Sequence, residues 1–125
     1  MISCILLSAG ESIRFGSPKA LAKIHHSTAL EFIQQQVLQS NIAELIVVTG
    51  AHENLIKPVV FNHSNVRIVY NKDYKLGQTS SFQAGVMVAS PKSEGFMLLP
   101  VDCPLIKSAT FNKLIDKKKK NKPAI

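Results

Sequence analysis

With 125 residues, 46% of them hydrophobic, the chain is sized for one domain with its own core and is too apolar to be disordered. No apolar run reaches the roughly 20 residues of a membrane-spanning helix, and the N-terminus lacks the basic start of a secretory signal, so no membrane partner is expected. The formal charge of +7 suggests nucleic acid, but Lys113, Lys117 to Lys120 and Lys122 crowd one terminal stretch without interleaved aromatics, so no nucleic-acid partner is expected.

Ile2 to Leu7 is a short, continuous apolar run, the pattern of a strand buried on both faces. A loop, Ser8 to Leu21, follows it. Thr28 with Glu31 forms a capping-box pattern, which predicts a helix whose inner face carries Leu30, Ile33, Val37 and Leu38. Gln34 to Gln36 and Gln39 then fall mainly on the solvent side, and the helix ends near Ser40-Asn41. Leu45 to Thr49 reads as a second strand stopped by Gly50. Leu55, Val59 and Val60 suggest a helix over 51–60 that Pro58 weakens. Val66 to Tyr70 is a third strand, closed by Asn71. Thr79-Ser80-Ser81 offers a capped start to a helix with Phe82, Val86 and Ala89 inside. Gly95 to Val101 is a fourth strand, running into Asp102-Cys103-Pro104. Ser108 caps a last helix burying Phe111, Leu114 and Ile115.

Strands alternating with helices at this spacing predict an α/β fold with a parallel sheet and right-handed crossovers. In such sheets ligands sit beyond the carboxyl ends of the strands, where strand order reverses. The first loop, the Asn71 to Ser81 segment and Asp102 all follow directly after predicted strands. Cys4 and Cys103 have the spacing of neither a disulfide framework nor a zinc site, which fits a reducing, cytoplasmic location. His25, His26, His52 and His63 lack metal-ligand spacing and are read as surface or loop residues. Four strands leave a sheet edge and part of one face uncovered. One domain, 1–125, lacking its C-terminal portion, accounts for that, with pairing to another chain as the alternative.

The first loop has the composition that a polyphosphate requires. Ser8, Ala9 and Gly10 let main-chain N–H groups approach a ligand, Gly16 with Ser17-Pro18 interrupts any helix, Ser12 adds a hydroxyl, and Arg14 and Lys19 add two cations. A Walker loop is excluded because five residues rather than four separate Gly10 from Gly16, and Ser17-Pro18 precede the lysine. The three-glycine dinucleotide fingerprint is absent as well.

Leu7, Ala9, Gly10, Ser12, Arg14, Gly16, Lys19 and Leu21 fall in register with L-x-A-G-x-S-x-R-x-G-x-x-K-x-L, and on these residues the chain resembles the MobA-like nucleotidyltransferases. Ala9 in place of a second glycine, with Pro18-Lys19-Ala20-Leu21, is most similar to the molybdenum-cofactor cytidylyltransferase branch. Ser8 in place of alanine and Lys23 in place of an apolar residue depart from that pattern. The resemblance covers Ile5 to about Ile106. It implies a Rossmann-like three-layer α/β/α fold, of the nucleotide-diphospho-sugar transferase type, with a mainly parallel sheet.

It also implies transfer of a nucleoside monophosphate, with CTP favoured, to a phosphorylated acceptor such as molybdopterin, releasing pyrophosphate. Lys19 and Arg14 are then the catalytic cations. Leu7, Ser8, Ala9, Gly10, Ser12 and Gly16 line the nucleotide, together with Gly77, Thr79 and Ser80 from the N-x-x-y-x-x-G-x-x-x-S stretch beside base and ribose; Thr49-Gly50 is a further candidate. Asp102 is the Mg²⁺ ligand, a role that one carboxylate plus phosphate oxygens can fill. The family's second carboxylate has no counterpart in this sequence. Guanylyl or sugar-phosphate transfer, or nucleotide binding without turnover, remain alternatives.

Overall fold

The structure, a computed structural model, describes residues 1–10, 13–14, 17–18, 21, 23–24, 27–100 and 108–120. Its main sheet is built from β1 (Ile2–Ser8), β2 (Glu44–Thr49), β3 (Val66–Tyr70) and β4 (Gly95–Pro100). All pairings among these four are parallel, in the spatial order β3-β2-β1-β4. The chain therefore steps outward from β1 to β3 and returns to β1's other side with β4. Strand order reverses between β1 and β4, the position predicted to hold a ligand.

β1 and β2 are buried along their whole lengths, which is why they read as continuous apolar runs rather than alternating ones. On one face, Cys4, Leu6, Leu45, Val47 and Leu99 pack against α1 (Ala29–Gln39) through Leu30, Ile33 and Val37. Phe111 and Ile115 of α4 (Ser108–Lys120) join the same cluster. On the other face, Ile5, Leu7, Ile46 and Val48 meet Phe82 and Val86 of α3 (Gln78–Val88). Helices on both faces of a mainly parallel sheet make the three-layer α/β/α arrangement expected. Gly85 lets α3 sit close to β1, since a Cβ there would lie 2.6 Å from Ile5 Cγ2.

The capping box forms as expected. Thr28 Oγ1 accepts from Glu31 N–H at 3.1 Å while Glu31 Oε1 accepts from Thr28 N–H at 3.0 Å. Gln34 departs from expectation: it is fully buried. Its Nε2 donates to the Leu30 and Val59 carbonyls, and its Oε1 accepts from Phe61 N–H at 2.7 Å. The chain crossing over α1 at 59–61 needs backbone partners, and the glutamine supplies them. Gln36 likewise accepts from Ser108 N–H at 2.9 Å, tying α1 to the start of α4.

The predicted helix over 51–60 is a short α2 (Glu53–Ile56) continued by a 3-10 turn at Lys57–Val59 that holds Pro58. Its inward residue is Ile56, while Leu55 is exposed. Leu114 is exposed too; among the described residues α4 meets the core through Phe111 and Ile115. At the sheet's outer margin, Phe96 and Leu98 of β4 are 40% and 46% exposed, lying on the α3 side. Among the described residues no strand pairs with that outer edge of β4. This is the uncovered edge expected of four strands.

The amino end of the sheet is closed by a polar clasp. Buried Glu44 accepts from Ser3 Oγ at 2.7 Å and from Ser90 N–H at 2.7 Å, and Arg67 Nε lies 3.7 Å from its other oxygen. These contacts join β1, β2, β3 and the segment after α3. The carboxyl end holds the features described next.

Cys4 lies in mid-strand, where burial pushes its thiol up to about 12 from an ordinary value of 9.0. Above pH 9 the unfolded chain loses this proton while the folded chain keeps it. Stability from this group is complete below the unfolded pKa and falls as pH rises toward the folded one, by up to about 1.4 kcal/mol per pH unit. Urea melts from pH 8 to 11 should show that decline, and Cys4→Ala should flatten it. An equal slope in both proteins would contradict the assignment.

Candidate functional site

The site begins where β1 ends. Leu7 pairs with Pro100, so β1 and β4 finish level at the same end of the sheet. Leu7 itself faces the core under α3 and is paired with Val48 on one side and Pro100 on the other, so it offers a ligand no side chain. Ser8 is buried, and its hydroxyl donates to the Val48 carbonyl at 2.8 Å, which fixes the strand's last residue. Ala9 is buried against β2 and accepts from Ala51 N–H at 3.1 Å. Gly10 is exposed, and a Cβ there would meet nothing within 4 Å. The chain leaves β1 into open space, as a ligand-facing loop must.

Beyond Gly10 the described backbone contains a two-residue antiparallel ladder, Ile13 with Pro18 and Arg14 with Ser17. A second two-residue antiparallel ladder pairs Lys23 with Thr28 and Ile24 with Ser27. Ser12, Gly16, Lys19 and Asp102 lie outside the described residues, as does the Arg14 side chain. Cys103, His25 and His26 lie outside them as well. Of the loop's candidates the structure places Leu7, Ser8, Ala9 and Gly10, together with the Arg14 backbone.

The second group lies between β3 and α3. Asn71, buried at the end of β3, donates from Nδ2 to Ser80 Oγ at 3.0 Å and to Ser81 Oγ at 2.9 Å. Its Oδ1 accepts from Asp73 N–H at 3.0 Å. Ser80 Oγ is within donating distance of the Asp73 and Gly77 carbonyls, at 3.0 and 2.8 Å. These bonds tie a 3-10 turn, Tyr74–Leu76, to the first turn of α3. Gly77 closes the turn with φ 100° and ψ −174°, a conformation essentially confined to glycine.

The Thr79-Ser80-Ser81 cap is therefore corrected. Gly77 is the N-cap, no side-chain cap bond forms there, and Ser80 and Ser81 are spent on Asn71. Thr79 is exposed on the first turn beside Gly77. Sequence reasoning passed over Asn71 and Ser81 as braces. Their signal was a polar residue ending an apolar strand nine and ten residues before two serines.

Thr49 and Gly50 join the two groups. Thr49 is buried, with Oγ1 3.3 Å from the Val69 carbonyl. Gly50 lies between Ala9 and Tyr74: a Cβ on it would come 2.7 Å from Ala9 O and 2.7 Å from Tyr74 Cβ. Next to it a cavity of about 400 Å³ opens between the start of α2 and Tyr70 and Tyr74. His52 borders this cavity, and exposed His63 accepts from Asn65 N–H at 3.0 Å. Among the described residues no cluster of three or more His, Cys, Asp or Glu could hold a metal ion. None of the described helices is long and apolar enough to cross a membrane.

An open β1 loop, a strand reversal beside it and a braced second loop are features of a nucleotide-binding α/β domain. Residues 4–125 match the MobA-like NTP transferase domain, and the chain belongs to that family. It is 31% identical over 113 residues to the molybdenum cofactor cytidylyltransferase of Escherichia coli, covering 90% of this chain and 57% of that protein. It is also 31% identical over 115 residues to the nicotine blue oxidoreductase of Paenarthrobacter nicotinovorans, covering 91% of this chain and 55% of that protein. The chain thus spans little more than half the length of these relatives.

Among solved structures, a nucleotidyl transferase from Methanothermobacter thermautotroptrophicus superposes with a TM-score of 0.80 at 25% identity, covering 93% of this chain and 57% of that one. The 4-diphosphocytidyl-2C-methyl-D-erythritol synthase of Anaerococcus prevotii gives 0.79 at 25% identity, covering 97% and 52%.

Proposed function

We propose that this chain forms the nucleotide-binding part of a nucleotidyltransferase that transfers CMP from CTP to a phosphorylated acceptor, with molybdopterin as the favoured acceptor. The observation that carries the reading is the level ending of β1 and β4 at the strand reversal, with Leu7 paired to Pro100. Asp102 is two residues beyond that end of β4, and the Gly10 loop with Arg14 and Lys19 is directly beyond that end of β1. The branch resemblance in the loop and the name of the Escherichia coli relative support the choice of cytidine and acceptor.

In the proposed reaction an acceptor phosphate oxygen forms a bond to the α-phosphorus. The bond from that phosphorus to the bridging oxygen breaks in line, and pyrophosphate leaves. Main-chain amides after Ser8 hold the phosphates, while Lys19 and Arg14 offset the charge that builds on them. The Gly77 to Ser80 turn borders the base and ribose. Asp102, a hard oxygen donor, would hold a Mg²⁺ ion, which when bound polarises phosphate oxygens.

A second reading is favoured by the relative named as an oxidoreductase: a nucleotide-binding part that serves a different chemistry, without transfer. Pyrophosphate release by the intact gene product, measured across the four triphosphates with and without Mg²⁺, separates the two. CTP should react fastest, and only with Mg²⁺. Calorimetric binding that ignores both Mg²⁺ and Asp102→Ala, with no pyrophosphate formed, would remove the transferase assignment.

A further inference from the structure

We infer that Ser8, Thr49 and Asn71 form one positioning relay that holds the first loop and the Gly77 turn in a fixed relation. The inference rests on the proposed nucleotide reading, in which both loops meet the same ligand. Each of the three is a buried polar residue at the carboxyl end of a strand: Ser8 ends β1, Thr49 ends β2 and Asn71 follows β3. Each ties its strand to the next element outward. Ser8 Oγ donates to Val48 O of β2 at 2.8 Å. Asn71 N–H donates to Thr49 O at 2.8 Å, and Thr49 Oγ1 lies 3.3 Å from Val69 O of β3. Asn71 Nδ2 then donates to Ser80 and Ser81 in the first turn of α3.

The lengths rank the links. The Ser8 and Asn71 bonds have ordinary geometry, whereas 3.3 Å is long for a hydroxyl donor. The main-chain bond between Asn71 and Thr49 therefore carries the middle step, and Ser8 and Asn71 are the side chains that matter most. A parallel ladder is complete with main-chain bonds, so the Ser8 hydroxyl is surplus to the pairing of β1 with β2. Alanine, the residue of the resembled pattern at this position, lacks that donor. What the hydroxyl adds is a tie between the residue where the chain leaves β1 and the strand that holds Asn71.

The tie lies on the face of the sheet opposite to Ala9. Leu7 and Ala9 belong to the cluster under α3, so Ser8 between them points to the α1 side. Ala9 approaches Tyr74 through Gly50 on the α3 side. The end of β1 is thus gripped from both faces. From there the bonds cross two strand spacings, roughly 10 Å, to β3 and the start of α3. Energetic coupling travels through contiguous bonds of this kind. Two loops held in place before a ligand arrives spare it the cost of ordering them.

Amide hydrogen exchange of the intact gene product tests the relay without any ligand. Ser8→Ala should speed exchange in residues 71–81 about tenfold and leave the amides of α1 unchanged. Asn71→Ala should act on the same amides, and the double variant should show less than the sum of the two effects. In isothermal titration, Ser8→Ala should weaken CTP binding about tenfold, yet leave inorganic tripolyphosphate, which engages the first loop alone, within about twofold of wild type. Faster exchange confined to β1 and β2, or spread evenly over the chain, overturns the relay, as does an additive double variant. Unchanged CTP affinity, or equal losses for the two ligands, overturns the positioning role and leaves the nucleotide reading intact. A wild type that binds neither ligand removes the nucleotide reading, and the exchange pattern alone then decides the relay.

Discussion

Replacing Lys19 by alanine should lower the rate of pyrophosphate release about a hundredfold, the loss typical of one preorganised group that stabilises transition-state charge. Asp102→Ala should fall by a similar or larger factor and should abolish the dependence on Mg²⁺ expected of the wild type. The reason is the electrostatics of the step. In the proposed transfer, negative non-bridging oxygens of the α- and β-phosphates flank the bond being broken, and residues 8–10 bring no cation to them: Ser8 and Ala9 are committed to β2 and the 51 turn, and Gly10 offers only its amide. Positive charge must then come from the loop and from an ion at the end of β4. Lys19→Arg should recover part of the rate, because the charge survives while the compact ammonium is lost. Far-ultraviolet circular dichroism must match the wild type for the comparison to count. Retention of more than half the rate in both alanine variants would sink the catalytic assignment.

The layers were legible because burial writes itself into local composition. β1 and β2 read as unbroken apolar runs since helices cover both their faces, and the Thr28–Glu31 box is complete within four residues. The place proposed for the site rests on the same logic, since every suggestive stretch comes after a strand. What escaped depended on partners distant in sequence. Gln34 looks like any polar residue on a helix until residues 59–61 pass over it and require its amide. The phase of α2 differs from the expected one because Leu55 and Ile56 are equally apolar and composition does not choose between them; Ile56 is the one buried. At the site, the glycines of the first loop carry their meaning in their spacing. The Asn71 brace carries its meaning in bonds that no spacing rule anticipates.

Gly50→Ala should destabilise the fold by about 2 kcal/mol and weaken nucleotide binding together with it. The added Cβ would lie 2.7 Å from Ala9 O, 2.7 Å from Tyr74 Cβ and 2.9 Å from Ala9 Cβ. None of these is the free end of a flexible side chain, so the strain cannot be relieved by a rotamer change. Either Ala9 shifts, moving the origin of the first loop, or Tyr74 shifts and opens the cavity wall. Gly50 is outside the left-handed region, so alanine tolerates its backbone and the cost isolates the close approach. Two other glycines provide the controls. Gly10→Ala meets nothing within 4 Å and should stay within about 0.5 kcal/mol of wild type. Gly77→Ala also meets nothing, yet its φ of 100° should cost about 1–3 kcal/mol through backbone strain alone. Urea denaturation of the three variants should therefore show losses at Gly50 and Gly77 but not at Gly10. A wild-type midpoint for Gly50→Ala would mean that the first loop and the Tyr74 turn are not in contact through this residue.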